Sequence, residues 1–271
     1  MVIGLLGAQN SHAAHFLETI NRQKRFPGVS IQFVYGGDDP ETAAKLVAEY
    51  QIEACPTEEE VIEKSDAVVI TYRKGSLHYN AAMKALRAGK AVFNDKPFAL
   101  ENREAQDIVD YAKDHNLLVC GGSNMKGVPD IVSVIPKIQP GDTIVISFSA
   151  DPESEYEGYF FYGIHSVELC LMLCGRDYKF VSSVRNGKTV ISTLTFPENN
   201  CVIMTSPEFT GLSIAVVNKS GMTQYPISLA YESVGPAEFV TMLQTGRPPR
   251  DLDFYTAAVK LINEIIQSAG L

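Results

Sequence analysis

Two polar residues stand where a folded chain could turn them to chemistry. Lys96 lies in Asn94-Asp95-Lys96-Pro97-Phe98, at the end of a short apolar run. His165 lies in Gly163-Ile164-His165-Ser166-Val167-Glu168, at the start of a helical pattern 69 residues later. An ammonium group at a strand end can hydrogen-bond a substrate hydroxyl and stabilise a developing oxyanion. An imidazole titrates near neutrality and so can move a proton. Each residue also has a plainer reading, a solvated surface lysine and a hydrogen-bonded core histidine. The five cysteines are Cys55, Cys120, Cys170, Cys174 and Cys201. Their odd number and the lack of a Cys-x-x-Cys pair argue against a disulfide framework and for a reducing compartment. Cys170 and Cys174 are one helical turn apart and could share a metal. They read instead as two small apolar residues on a buried helix face, and no metal site is expected.

The elements that must position these groups follow from hydrophobic period. Val2–Leu6, Ile31–Tyr35, Ala67–Thr71, Ala91–Asn94 and Leu117–Cys120 are short apolar runs. Little alternation within them indicates strands buried on both faces, as in a parallel sheet covered by helices. Between them, Ala13, Phe16, Leu17 and Ile20, and later Ala43, Leu46, Val47 and Tyr50, repeat at helical spacing. Asp39-Pro40 and Thr57-Glu58-Glu59-Glu60 are helix starts. Residues 1–121 are therefore expected to form a doubly wound α/β domain. After Gly121 the pattern changes to Ile144–Ala150, Thr189–Phe196, Cys201–Thr205 and Leu212–Val217, with a hairpin turn expected at Pro197-Glu198-Asn199-Asn200. Residues 122–271 read as an α+β domain with a mostly antiparallel, open-faced sheet. Its last helix, Phe254–Ser268, is a candidate to pack back on the first domain. At 271 residues, two domains are natural. A net charge of −9 disfavours nucleic-acid and anionic-membrane partners. With a strand starting at Val2 there is no room for a signal peptide, and no apolar run reaches the ~20 residues of a membrane span, so a cytoplasmic protein is expected.

The first strand leads into Gly7-Ala8-Gln9-Asn10-Ser11-His12. In the G-x-G-x-x-G dinucleotide fingerprint only Gly7 fits. Gln9 stands at the second glycine and His12 at the third. A side chain at Gln9 restricts backbone approach to a pyrophosphate, while polar Gln9, Asn10, Ser11 and His12 can replace some of the lost contacts. The alternative is a turn that no longer binds a dinucleotide. The second strand ends in Gly36-Gly37-Asp38-Asp39. Asp38 can reach adenosine ribose hydroxyls, and two carboxylates would repel a 2′-phosphate, so NAD is favoured over NADP. Alternatively, Asp38 and Asp39 only cap the next helix.

Taken together, these segments resemble the glucose–fructose oxidoreductase / inositol dehydrogenase (Gfo/Idh/MocA) family of NAD(P)-dependent oxidoreductases, over nearly the whole chain but with a degenerate glycine fingerprint and a shortened second domain. Asp95-Lys96-Pro97 matches the family's Glu-Lys-Pro, and Ser76-Leu77-His78 its Ser/His-Leu-His helix start. Thr71-Tyr72-Arg73-Lys74-Gly75 is one residue longer than the family's turn beside the nicotinamide, and Arg73 and Lys74 there would mark an anionic substrate or a changed cofactor pose. Gly122-Ser123-Asn124-Met125-Lys126 resembles Gly-Phe-Asn-x-Arg, with Lys126 replacing Arg. The family's Asp-x-Gly-x-His aligns with Phe161-Tyr162-Gly163-Ile164-His165, so its acid is lost at Phe161, while the acid three residues after His is kept as Glu168. The resemblance implies hydride transfer between nicotinamide and a carbon of a sugar, polyol or cyclitol, faced by Lys96 and His165 from two domains. It implies cofactor contacts from Gly7, Gln9, Asn10, Ser11, His12, Asp38, Thr71, Tyr72, Arg73, His78, Asp95 and Lys96. Substrate contacts would come from Lys96, Asn124, Lys126, Tyr162 and His165, with Glu168 orienting His165. A homodimer or homotetramer is expected. The competing reading is a catalytically silent relative that binds a dinucleotide or sugar as a sensor.

Overall fold

The computed structural model describes all 271 residues, and they fall into two compact units. The first comprises Met1–Ala99, Arg103–Gly122 and Glu232–Asp253; the second comprises Leu100–Asn102, Ser123–Tyr231 and Phe254–Leu271. In the first unit the chain runs β1 (Val2–Leu6), α1 (Ser11–Leu17), β2 (Ser30–Tyr35), α2 (Pro40–Tyr50), β3 (Glu53–Ala54), α3 (Glu58–Lys64), β4 (Ala67–Ile70), α4 (His78–Arg87), β5 (Ala91–Asn94), α5 (Asn102–Asp114) and β6 (Val119–Gly121). The sheet order is β3-β2-β1-β4-β5-β6, parallel throughout. This is the strand order of a Rossmann domain. Strands β1 and β4 bury nearly every residue, as unalternated apolar runs require. Asp39 accepts from the Thr42 amide and Thr57 from the Glu60 amide, so the two helix starts read from the sequence are real caps.

In the second unit a short helix α6 (Pro129–Val132) precedes β7 (Thr143–Phe148), α7 (Phe160–Cys174), β8 (Phe180–Asn186), β9 (Thr189–Thr195), β10 (Asn200–Thr205), β11 (Leu212–Asn218) and β12 (Gly221–Tyr225). Its sheet order is β12-β11-β7-β10-β9-β8. All pairs are antiparallel except β7–β10. Helix α7 packs on β7 and β10, which explains the buried–open alternation along β7, β9 and β10. On the uncovered face, Val184 lies opposite Ile191, and Phe180 and Met222 are also exposed. Strands β8 and β12 were not expected from sequence. Their apolar residues Phe180, Val184 and Met222 are exposed, so they lack the pattern of a strand facing a core.

The last two helices divide differently from expectation. Helix α8 (Val234–Thr245) completes the first unit, and α9 (Asp253–Ala269) lies almost wholly in the second. Thus α8 comes from beyond the antiparallel sheet in sequence yet belongs to the first unit. Its Phe239 meets Phe16 and Phe93 edge-on, with ring centroids 6.5 and 5.9 Å away. No helix is long and apolar enough to cross a membrane.

Candidate functional site

The glycine turn is built around Gly7, at φ +94°, where a Cβ would come within 2.6 Å of the Tyr72 amide nitrogen. Only glycine tolerates both the backbone and the approach. The two aspartates after β2 separate their roles. Asp39 caps α2. Asp38 turns back and accepts from the amides of Ala8 (2.9 Å) and Gln9 (3.1 Å). Its carboxylate is therefore fixed beside the glycine turn and is not a second helix cap. The side chains of Asn10 and His12 are directed elsewhere than the sequence suggested. Asn10 Nδ2 and His12 Nδ1 both donate to Asp95 Oδ2, at 3.1 and 2.7 Å. Asn10 also caps α1 through the His12 amide. These two groups tie the turn to the end of β5; they are not aimed at a pyrophosphate.

Asp95 is fully buried, and its Oδ1 has no hydrogen-bond partner. Burial works against its charge, but His12, Lys96 and His78 together hold the carboxyl down to about 2. Lys96 is 3% exposed. Burial pushes its ammonium down to about 8; nearby Arg73 adds to the shift and Asp95 opposes it. The Lys96–Pro97 peptide is cis. His78 is fully buried. Its Nδ1 lies 2.7 Å from the Pro97 carbonyl and 3.1 Å from that of Asp95, and its Nε2 lies 2.8 Å from the Tyr72 carbonyl. It clamps the two loops flanking Lys96 and has no face left for a cofactor, so the expected cofactor contact is corrected to a positioning role. Thr71 donates to the Gly7 carbonyl at 2.9 Å, and the buried Tyr72 donates to Glu58 at 2.6 Å. Their side chains thus brace the turn. Arg73 is half-buried and Lys74 exposed.

The second group of residues gathers around Ser123, which sequence reasoning did not single out. His165 is 4% exposed, and its Nδ1 lies 2.6 Å from Ser123 Oγ. Its ring meets Phe148 edge-on and is tilted against Tyr162. Gly163 is needed one turn after Tyr159, because a Cβ there would press into the Tyr159 ring at 2.7 Å. Glu168 does not orient His165 directly, as expected; both its oxygens accept from the Ser123 amide at 3.0 Å. Lys126 donates to the Ser123 carbonyl at 2.7 Å and to Glu168 at 2.8 Å. Its ammonium is enclosed and lies over the Phe254 and Tyr255 rings, so Lys126 is a buried counter-ion and not a substrate ligand. The order of influence is Lys126 and Glu168 on the Ser123 backbone, then the Ser123 hydroxyl on His165. The Phe161 ring is tilted against those of Tyr156 and Tyr162. Asn124 is buried with Nδ2 unpartnered, a donor still available to a ligand. Tyr162 is 41% exposed. Gln9 is half-buried and Ser11 exposed at the turn.

Residues 1–123 match the model of an oxidoreductase family with an NAD-binding Rossmann fold, GFO_IDH_MocA. Among curated proteins, the chain is 25% identical over 166 residues to a levoglucosan dehydrogenase of Pseudarthrobacter phenanthrenivorans, covering 56% of this chain and 43% of that one. An uncharacterized oxidoreductase of Streptococcus pneumoniae is 22% identical over 207 residues, covering 70% and 55%. The chain therefore spans about half the length of the curated relatives it matches. Among solved structures, a protein of gentamicin A biosynthesis in complex with NAD superposes with a TM-score of 0.83 at 15% identity, covering 100% of this chain and 94% of that one. A 3-ketoreductase from Actinomadura kijaniata in complex with TDP-benzene and NADP gives 0.81 at 16% identity, covering 99% and 98%. At these identities the likeness is one of fold.

Proposed function

We propose, from the match of residues 1–123 to the model of the GFO_IDH_MocA oxidoreductases, that this chain is an NAD-dependent dehydrogenase or reductase acting at a carbinol or carbonyl carbon of a sugar, polyol or cyclitol. The observation that carries the proposal is Lys96. It is a buried ammonium at the carboxyl end of a parallel strand, its titration drawn down to about 8 by burial. A site of that kind favours proton chemistry near neutral pH.

The residues present fit a dinucleotide. Asp38 is fixed at the end of β2 with lone pairs left for ribose hydroxyls. A 2′-phosphate would meet that carboxylate and Asp39, which supports NAD over NADP. Asp95 Oδ1 is a buried acceptor in need of a donor. Gly7, Gln9, Ser11 and the main chain of Thr71 and Tyr72 are the remaining proposed contacts. Bound nicotinamide supplies or accepts the hydride. Lys96 donates a hydrogen bond to the substrate oxygen and stabilises its developing charge. His165 takes or returns the hydroxyl proton through Nε2, because Nδ1 is committed to Ser123. Asn124 and Tyr162 are proposed to hold substrate hydroxyls. Arg73, close enough to depress Lys96, favours a phosphorylated or acidic derivative. The open sheet face with Phe180, Val184, Ile191 and Met222 is proposed to pair into a homodimer.

A second reading, a silent dinucleotide- or sugar-binding protein, is favoured by Asn10 and His12, which are engaged with Asp95. Titration with NADH and NADPH, followed by nicotinamide fluorescence and then a sugar and polyol screen, separates the two. NADH binding with turnover supports the enzyme. NADH binding with no turnover on any substrate supports the sensor. Failure to bind either nucleotide removes the dehydrogenase.

A further inference from the structure

Three of the five cysteines meet inside the second unit. Cys170 and Cys174 are one turn apart at the C-terminal end of α7, and Cys201 is on β10, against which α7 packs. Their three sulfur atoms all lie within 4.8 Å of one another. Cys170 and Cys201 are buried, whereas Cys174 is partly exposed and opens the cluster toward solvent. The surroundings are apolar: Cys201 is paired across the sheet with Ile144 and Leu194, both buried. No carboxylate or imidazole joins the group.

We propose that Cys170, Cys174 and Cys201 form a three-thiolate site for one soft cation with a filled d shell, of the class of Cu(I) or Zn(II). Metal–sulfur bonds of about 2.3 Å place three thiolates about 3.8–4.0 Å apart, so sulfurs already within 4.8 Å need to close by less than about 1 Å. An all-sulfur set selects soft ions over magnesium and calcium, which take oxygen ligands. A disulfide needs two sulfurs; the convergence of all three within 4.8 Å is what an ion uses. Each thiol that binds gives its proton to solvent. Because the metal binds thiolate, uptake is accompanied by proton release from whichever of the three are thiols. The bound ion would pin the end of α7 to β10. His165 is nine residues back from Cys174 on the same helix, about 13 Å along its axis. The site stands apart from the proposed oxidoreductase chemistry and does not depend on it.

The test is anaerobic titration of the fully reduced protein with cadmium chloride, followed by thiolate-to-metal charge-transfer absorption and by X-ray absorption at the cadmium edge. The expected result is one cadmium per chain with a shell of three sulfurs. Affinity should fall at least about 100-fold in Cys174→Ser and in Cys201→Ser, and stay unchanged in Cys120→Ser. Cys174 is partly exposed, so Cys174→Ser carries the test if Cys201→Ser fails to fold. Three results overturn the proposal. One is loss of binding in Cys55→Ser instead, which would place the ion with Glu53 and Glu60. Another is absence of cadmium binding while mild oxidation links two of the three cysteines, which would make the cluster a redox pair. The third is no binding and no oxidation, which would leave three core thiols.

Discussion

Lys96 and Lys126 are both buried lysines, 3% and 2% exposed, and the protein treats them in opposite ways. Lys126 is closed in by a carboxylate and a carbonyl, with Glu168 at 2.8 Å and the Ser123 oxygen at 2.7 Å. Lys96 sits next to Asp95, whose charge favours the ammonium, yet burial together with Arg73 pulls its titration down to about 8. A buried charge with its own counter-ion serves the fold. A buried charge drawn toward neutrality is poised to exchange or share a proton. The distinction supports the proposed role of Lys96 and argues against one for Lys126, whereas the sequence resemblance assigned substrate contact to both.

The sharpest way to break this comparison is to remove each ammonium in turn. Lys96→Met should lower kcat by roughly 10³–10⁴-fold, about 4–5 kcal/mol of transition-state stabilisation, with an unchanged circular dichroism spectrum. Normal turnover in that variant would take Lys96 out of the mechanism. Lys126→Met should do the reverse and act on the fold. It strands Glu168 as a buried charge, at a cost of about 3–5 kcal/mol in denaturant unfolding. The double variant Lys126→Met with Glu168→Leu should recover part of that loss.

Titration sharpens the same contrast. The folded Lys96 pKa lies below the unfolded value, so the unfolded chain binds more protons between about pH 8 and lysine's ordinary pKa of 10.5. Stability should therefore rise with pH across that window, by roughly 3 kcal/mol if the shift is fully expressed. Activity should fall as pH rises through about 8, because the hydrogen-bonding ammonium is lost. Comparing wild type with Lys96→Met by urea unfolding at successive pH values isolates the slope; equal slopes would mean that Lys96 titrates normally. Ser123→Ala is expected to have the smallest effect, lowering kcat about 10–100-fold (about 1–3 kcal/mol) with little change in KM, and shifting the acidic limb of the pH profile, since His165 loses the group that fixes its tautomer. A KM effect alone would leave Ser123 a structural residue.

The parallel sheet was legible because unalternated apolar runs such as Ala67–Ile70 have few places to go other than between two layers of helices. The antiparallel sheet was legible only where one face is covered, as in β9 and β10. Strands β8 and β12 escaped because Phe180, Val184 and Met222 face outward and blur the pattern. At the site, Lys96 and His165 stood out by residue type and context. Ser123 did not, because its importance comes from how α7 is packed: Glu168 reaches its amide and His165 its hydroxyl across more than forty positions of sequence. The place of Cys201 beside Cys170 and Cys174 was invisible for the same reason. The separate duties of Asp38 and Asp39 were also beyond sequence, since either could have capped α2.

Helix α8 also bears on how the protein is made. The three-ring contact of Phe16, Phe93 and Phe239 belongs to the first unit, yet its last member is 117 residues beyond Gly122. During synthesis the ribosome delivers the parallel sheet first and its final covering helix only after the whole antiparallel sheet has emerged. Until then one side of the nascent Rossmann sheet, Phe16 and Phe93 included, lacks its lid. A fragment ending at Gly122 would carry that bare apolar surface permanently, and a chaperone would find its natural client in the interval between the two halves.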